Sequence, residues 1–141
     1  MIYVEEKDFD RQIQLLSFLA SLDDLTICIW LYPESTATKL AGIEVAQKSL
    51  SLTPITTYGD GSIPKCTVPT SASLTTMKLI GSSYNELKKN CDSLALYKKS
   101  ESSWIAATIG HEGMCLVQDD TLLSCLIKAG YPASTRAPDW W

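Results

Sequence analysis

The spacing of hydrophobic positions predicts a strand, a helix and a second strand near the amino terminus. Ile2, Tyr3 and Val4 favour a short first strand. Asp8 then provides an N-cap, and apolar residues recur at helical spacing over residues 8–21, which predicts an amphipathic helix. Phe9, Ile13, Leu16 and Ala20 lie on one face of this helix, and Leu15, Leu19 and Leu22 widen the apolar stripe.

The second strand is predicted in the run LTICIWLY, residues 25–32, which is largely apolar at both sets of alternating positions. Such a run is typical of an interior strand that is covered on both faces. Pro33 ends it, because proline cannot donate to the strand ladder. Since a helix connects the two strands, their order predicts a parallel pair and therefore a mixed sheet.

Residues 34–52 allow two interpretations. Their apolar positions fit a helix, which we favour, although Gly42 weakens a helix. Ile43 and Val45 alternate with polar residues, and this spacing allows a strand instead.

The next segment is rich in serine, threonine and proline and predicts short edge strands. Asp60 followed by Gly61 favours a hairpin turn, with flanking strands near residues 52–58 and 63–68. Three prolines in this segment restrict these strands to a sheet edge. The run TMKLIG, residues 76–81, predicts another short strand.

The carboxyl-terminal half predicts a helix followed by an antiparallel meander. Ser83 and Glu86 have the spacing of a capping box, which predicts a helix over residues 84–91. Three extended runs follow, SLALYKK, SWIAATIG and GMCLVQ, and their short connections favour antiparallel pairing.

A capped helix and a tail complete the chain. Asp119 or Asp120 can cap a last helix that ends at Gly130. We expect residues 132–141 to form a tail that is either poorly structured or docked. The sequence therefore predicts one α+β domain over residues 1–141, with a mixed sheet, an antiparallel C-terminal meander and three or four helices.

Acidic residues are concentrated near the amino terminus. The net charge is −4, and residues 1–24 alone hold six acids and two bases. With only two arginines in the chain, the sequence lacks the basic face that nucleic-acid binders need. An acidic surface favours a basic protein partner instead, and the candidate contacts are Asp8, Asp10, Asp23 and Asp24.

Two tryptophans lie in the polar terminal segment APDWW. Large aromatic side chains are unfavourable in water. Trp140 and Trp141 are therefore expected either to fold back onto a groove of the domain or to anchor a partner, since tryptophan is enriched at binding hot spots.

The sequence predicts a cytoplasmic location. Residues 1–24 lack the basic segment that begins a signal peptide. The longest strongly apolar run, residues 25–32, is far shorter than the ~20 residues that span a bilayer. We expect no contact with a membrane.

The sole histidine marks the strongest candidate for catalytic chemistry. His111 lies in the segment Gly110 to Gly113, and two glycines around two polar residues predict a hairpin turn. The alternative interpretation is a small hydrolase or transferase in which His111 acts with Cys115 or Cys66.

The remaining cysteine pattern favours neither disulfides nor metal. The five cysteines are odd in number and widely spaced, which predicts reduced, mostly buried thiols. One histidine and scattered cysteines lack the spacing of a zinc site, and no phosphate-binding glycine motif is present. The sequence therefore predicts no metal and no cofactor.

The chain resembles bacterial toxin-immunity proteins of the contact-dependent inhibition and polymorphic toxin systems. The likeness lies in its small size, its acidic charge and its missing catalytic motifs. It also lies in the carboxyl-terminal half of the chain, where a predicted hairpin leads into a capped helix in the run SWIAATIGHEGMCLVQDDTLLSCLIKAGYPAS. The resemblance implies a non-enzymatic protein that neutralises one cognate basic toxin, often a nuclease, by direct binding. It assigns no individual residue. A structural or adaptor subunit is the third hypothesis, and the oligomeric state is left open.

Overall fold

The computed structural model describes residues 1–55 and 59–141, apart from the side chain of His111. Within these residues, four α-helices accompany a seven-stranded sheet and a separate two-stranded hairpin. The helices are α1 (Phe9–Ala20), α2 (Leu74–Ser82), α3 (Tyr84–Asn90) and α4 (Leu123–Lys128). The strands are β1 (Ile2–Glu5), β2 (Leu25–Leu31), β3 (Lys39–Leu40), β4 (Ile43–Glu44), β5 (Thr70–Ser71), β6 (Cys91–Lys98), β7 (Trp104–Ile109), β8 (Met114–Val117) and β9 (Ala133–Ser134).

The sheet order is β5-β2-β6-β7-β8-β1-β9, and the described pairings are antiparallel. The predicted α+β domain with a β6-β7-β8 meander is confirmed. The expected parallel pairing of β1 with β2, and with it the mixed sheet, is wrong. These two strands run in the same direction, but the whole meander lies between them. Helix α1 can make this connection because its 12 residues extend about 18 Å, close to the width of four strand spacings.

Helix α1 begins and packs as its sequence predicts. The carboxylate of Asp8 accepts a 2.9 Å hydrogen bond from the backbone N–H of Asp10 and caps the helix. Leu15, Leu16 and Leu19 are buried and join the main core against the sheet. The apolar spacing therefore fixes which face of the helix the sheet covers.

Strand β2 confirms the prediction of an interior strand. It pairs with β5 on one side and β6 on the other. Ile27 and Ile29 belong to the core beneath α1, whereas Cys28 and Trp30 belong to a second cluster on the opposite face. Leu50, Leu52 and Ile55 pack against that cluster, so the irregular segment around them covers the second face.

The helix favoured for residues 34–52 is wrong. The chain forms the hairpin β3-β4, in which Lys39 pairs with Glu44 and Leu40 with Ile43. Between them Ala41 and Gly42 have φ of 49° and 76°. Two consecutive residues with positive φ form the tight turn that matches the twist of a hairpin, and this turn interrupts any helix.

The strand predicted at residues 76–81 is also wrong, because this segment lies in α2. The hydroxyl of Ser73 accepts a 3.2 Å hydrogen bond from the backbone N–H of Thr76 and caps the helix. Met77 and Ile80, three residues apart, are its buried side chains. Capping and helical spacing outweigh the strand preference of this short segment.

The strand predicted at residues 63–68 is reduced to two isolated bridges in the described chain. Cys66 pairs with Trp30, and Thr67 pairs with Val45. Prolines flank both sides of these residues and cannot donate to a ladder, so pairing does not extend. Of the strand predicted before it, residues 56–58 lie outside the described residues.

Helix α3 is confirmed, but its expected capping box is wrong. The hydroxyl of Ser83 donates a 2.7 Å hydrogen bond to the carbonyl oxygen of Leu79 in the preceding helix. The carboxylate of Glu86 instead accepts from the backbone N–H of Ala41, at 3.3 Å. Because α2 ends directly before α3, Ser83 bonds back to α2 and does not cap α3 with its side chain.

The last helix begins at a local cap, and the tail is held by contacts with the amino-terminal strand. Asp119 accepts a 3.0 Å hydrogen bond from the N–H of Thr121 and starts a 3₁₀ turn that leads into α4. Beyond it, β9 pairs with β1. The indole of Trp140 donates to a carboxylate oxygen of Glu5 at 2.8 Å, and the ring of Trp141 contacts Tyr3 edge-on, with centroids 6.1 Å apart.

Candidate protein-binding site

The structure places the six predicted binding residues at three separate locations. Asp8 and Asp10 lie at the start of α1, and Asp23 and Asp24 lie beyond its end, about 18 Å away along the helix. Trp140 and Trp141 lie beside β1, where Trp141 contacts Tyr3. Tyr3 packs with the cluster of Ile109, Met114 and Leu116, and not with the core beneath α1. The six residues therefore do not form one surface.

Asp23 and Asp24 border an apolar depression, which we call the Leu22 groove. Its volume is about 470 Å³. It lies between the end of α1, the start of β7, the end of β8, and the turn that precedes α4. The groove is lined by Leu19, Leu22, Asp23, Leu25, Lys98, Ile105, Ala106, Val117, Gln118, Asp119 and Leu122.

Two local features open this groove. Helix α1 ends at Ala20, and the following turn leaves Leu22 with 53% of its surface exposed. In the sheet, the pairing of β6 with β7 shifts register, so that Tyr97 faces Trp104 while Leu96 faces Ala106. Such a bulge bends the strand and redirects the intervening side chain. An exposed leucine beside this bend makes the groove apolar and accessible.

The rim of the groove carries acidic groups. Asp24 forms an exposed salt bridge of 2.6 Å with Lys99, and its backbone N–H donates to Asp23 at 2.7 Å. Asp23 and Asp119 form no ion pair within the described part of the chain. Hydrogen bonds from the side chain and the backbone of Thr121 lower the pKa of Asp119 below its ordinary value. The rim therefore presents the carboxylates of Asp23 and Asp119, and the charge of Lys98, which lines the same groove, also acts on Asp119.

No protein-family model, curated protein or solved structure matches this chain. Its function must therefore be inferred from the chemistry of its own surfaces and cavities.

The two cysteines of the alternative catalytic hypothesis, Cys115 and Cys66, lie in different core clusters on opposite faces of the sheet. The side chain of His111 lies outside the described residues. Cys115 is fully buried in the main core, and burial raises the pKa of its thiol. A protonated core thiol is a poor nucleophile. Cys66 lies on the other face of the sheet, in the cluster with Cys28 and Trp30.

Among side chains that the structure describes, no group of three or more histidine, cysteine, aspartate or glutamate residues is placed to hold a metal ion. In residues 1–55 and 59–141, no helix has the length and apolar character required to cross a bilayer.

A second cavity, of about 250 Å³, was not foreseen from the sequence. Lys7, Tyr32, Lys88, Cys91 and Asp92 are among its lining residues. Burial, and then the charge of Asp92, raise the pKa of Cys91, so this thiol stays protonated at neutral pH. In the sequence, the only sign of this cavity was the polar pair of Asp92 and Ser93, which follows Cys91 in an otherwise apolar strand. The cavity offers polar contacts without an activated nucleophile.

Proposed function

We propose that this chain is a non-enzymatic binding protein whose Leu22 groove receives a basic, partly apolar segment of a protein partner. The observation that carries the proposal is the combination in one groove of an exposed leucine with two rim carboxylates, Asp23 and Asp119, neither of which forms a salt bridge among the residues that the structure describes. An apolar centre with a charged rim is the usual anatomy of a protein interface. The partner would supply an apolar side chain to the groove and lysine or arginine to its rim.

The energetic roles of the two parts differ. Covering Leu22 fully would contribute about 1–1.5 kcal/mol, about half of the value for a fully exposed leucine, because only the exposed half of its side chain leaves water in the complex. The rim carboxylates lie in high dielectric, where they accelerate encounter and select the sign of the partner more than they add affinity. Leucine substitution should therefore affect dissociation, and charge substitution should affect association.

The biological form of this proposal is an immunity protein for a cognate basic toxin. Three features support it: the net charge of −4, the raised pKa of the Cys91 and Cys115 thiols, and the resemblance to immunity proteins. In such a complex the groove would cover the active site of the toxin, or a surface beside it, and exclude its substrate.

Co-expression with a toxin domain encoded by the neighbouring gene tests the proposal in cells. The toxin alone should stop growth, and this chain should restore it. Purified proteins should then form a complex whose association rate falls as salt rises, since added ions screen the rim charges. A neighbouring gene without a toxin, or a toxin that this chain does not neutralise, would contradict the immunity function.

Three single variants locate the surface. Asp23→Lys should slow association roughly 3- to 10-fold at low salt, and Leu22→Ser should weaken affinity by about 10-fold or more through faster dissociation. Asp10→Lys is the matched control, because it makes the same charge change at the other end of α1. If Asp10→Lys slows association as much as Asp23→Lys, the partner does not use the Leu22 groove.

A further inference from the structure

Two cysteines lie side by side on the sheet face opposite α1. Cys66 pairs directly with Trp30 in an antiparallel bridge. Since side chains alternate along a strand, Cys28 points to the same face as Trp30 and is the diagonal neighbour of Cys66. Cys28 and Cys66 are 0% and 4% exposed and belong to the same buried cluster.

We propose that Cys28 and Cys66 form a redox-modification site, which hydrogen peroxide converts from two thiols into an intramolecular disulfide. The site is independent of the proposed binding function, because it lies on the other face of the sheet from the Leu22 groove. The oxidant is a small hydroperoxide, since only a small molecule can reach this buried pair.

The contact between the thiols assigns them different roles. The two side chains interact, and this interaction raises the pKa of Cys28 and lowers that of Cys66. Cys66 is therefore the thiol that more readily becomes a nucleophilic thiolate, and Cys28 is positioned to react second.

Access to the pair is also one-sided. Cys66 lines a pocket of about 200 Å³, together with Pro64, Lys65 and Trp30, and Cys28 is not among the lining residues. A molecule the size of hydrogen peroxide fits this volume. An oxidant that enters the pocket therefore meets the sulfur of Cys66 before that of Cys28.

The oxidation takes place in two steps. The thiolate of Cys66 attacks one peroxide oxygen, the O–O bond breaks, and the departing hydroxide takes a proton to form water, which leaves a sulfenic acid at Cys66. The sulfur of Cys28 then attacks the sulfur of Cys66, the S–O bond breaks, and the hydroxide released takes the proton of Cys28. Overall, two thiols lose two electrons and two protons, and one peroxide becomes two waters.

The test treats the folded chain with hydrogen peroxide, removes the peroxide with catalase, alkylates the remaining thiols after unfolding and maps all five cysteines by mass spectrometry. The expected first product is a Cys28–Cys66 disulfide that forms at least about tenfold faster than oxidation at Cys115. Cys115 is the internal control, because it is as buried as Cys28 and lies in the other core cluster. This measurement requires no variant, so it decides the proposal even if a substitution prevents folding.

Two variants test the order of events. Cys28→Ser should leave a sulfenic acid at Cys66 that dimedone traps, whereas Cys66→Ser should leave Cys28 reduced. The proposal is wrong if Cys125 or Cys91 is oxidised first. It is also wrong if the pair stays reduced under conditions that oxidise N-acetylcysteine completely, or if the unfolded chain forms the same disulfide equally fast.

Discussion

The indole nitrogen of Trp30 donates a 3.1 Å hydrogen bond to the phenol oxygen of Tyr97. The phenol in turn donates a 2.7 Å hydrogen bond to the backbone carbonyl of Thr53. Both rings are at most 2% exposed, so water does not replace these bonds. Together they tie the irregular segment around Thr53 to β2 and β6 on the face opposite α1.

Removing the phenol oxygen should therefore be costly. We expect Tyr97→Phe to lower the free energy of unfolding by about 1–3 kcal/mol, because the indole N–H and the Thr53 carbonyl both lose a buried partner. Urea denaturation followed by circular dichroism measures this change. Tyr84→Phe is the control, since Tyr84 is 45% exposed and packs on Phe9 through its ring. Equal effects of the two substitutions would show that the hydrogen bonds of Tyr97 do not stabilise the fold.

The sequence predicted those elements whose determinants are local. Helix α1 followed from the cap at Asp8 and the spacing of its apolar residues, and β2 followed from a run that is apolar on both faces. The order of strands in the sheet was not visible in this way. Hydrophobic spacing indicates which face of a strand is buried, but it does not indicate which strand lies beside it. The pairing of β1 with β8, for example, joins residues more than 100 positions apart.

The errors in the middle of the chain have equally specific causes. The hairpin β3-β4 depends on positive φ at Ala41 as well as at Gly42, and alanine gives no sequence signal for that conformation. Helix α2 depends on one serine, Ser73, among several serines and threonines that could each have capped or interrupted a helix.

The candidate site was only partly predictable. The sequence identified Asp23 as an acidic surface residue, but it could not show that Ile105 and Val117 line the same groove as Leu22. The contact between Cys28 and Cys66 likewise arises only when the chain returns to β2. Surface charge can be read from composition, whereas grooves and cysteine pairs are products of tertiary packing.

The turn between β7 and β8 requires glycine at one of its two glycine positions. Gly113 has φ of 63°, and a Cβ atom there would lie 2.6 Å from Cγ and 3.3 Å from Cα of Lys7. We expect Gly113→Ala to destabilise the fold by about 1–3 kcal/mol, through both backbone strain and this clash. Thermal or urea unfolding measures the change.

Gly110 provides the control in the same turn. A Cβ atom at this position meets nothing within 4 Å, and its φ is not positive. Gly110→Ala should therefore be neutral or stabilise the fold by up to about 1 kcal/mol, because alanine restricts the unfolded chain. If both substitutions destabilised the fold to the same degree, the contact with Lys7 would not explain the need for Gly113.

Ser100 lies in the turn between β6 and β7, at a position where glycine should stabilise the fold. Ser100 is exposed and has φ of 64°, a conformation that costs a non-glycine residue roughly 1–2 kcal/mol. Part of this gain is lost to the greater freedom of glycine in the unfolded chain, so we expect Ser100→Gly to stabilise the fold by about 0.5–1 kcal/mol. Ser102→Gly, in the same turn without positive φ, should not stabilise it. A stabilising Ser102→Gly would indicate an effect unrelated to backbone strain.

Asp119 links the stability of the last helix to pH. The hydroxyl and the backbone N–H of Thr121 both donate to its carboxylate, and these bonds lower the folded-state pKa below the ordinary value of 3.8. The ionised form is thus favoured in the folded state, so its contribution is fully present above the unfolded pKa and is lost as pH falls through the folded pKa. Asp119→Ala should cost about 0.5–1 kcal/mol at pH 7, as at other exposed N-caps, and progressively less below pH 3.8. Unfolding curves at several pH values measure this difference.

Asp119→Asn keeps an acceptor but no titrating group, so it should retain part of the stability and lose the pH dependence. A cost of Asp119→Ala that increased in acid would mean that the neutral carboxyl, and not the carboxylate, caps the turn.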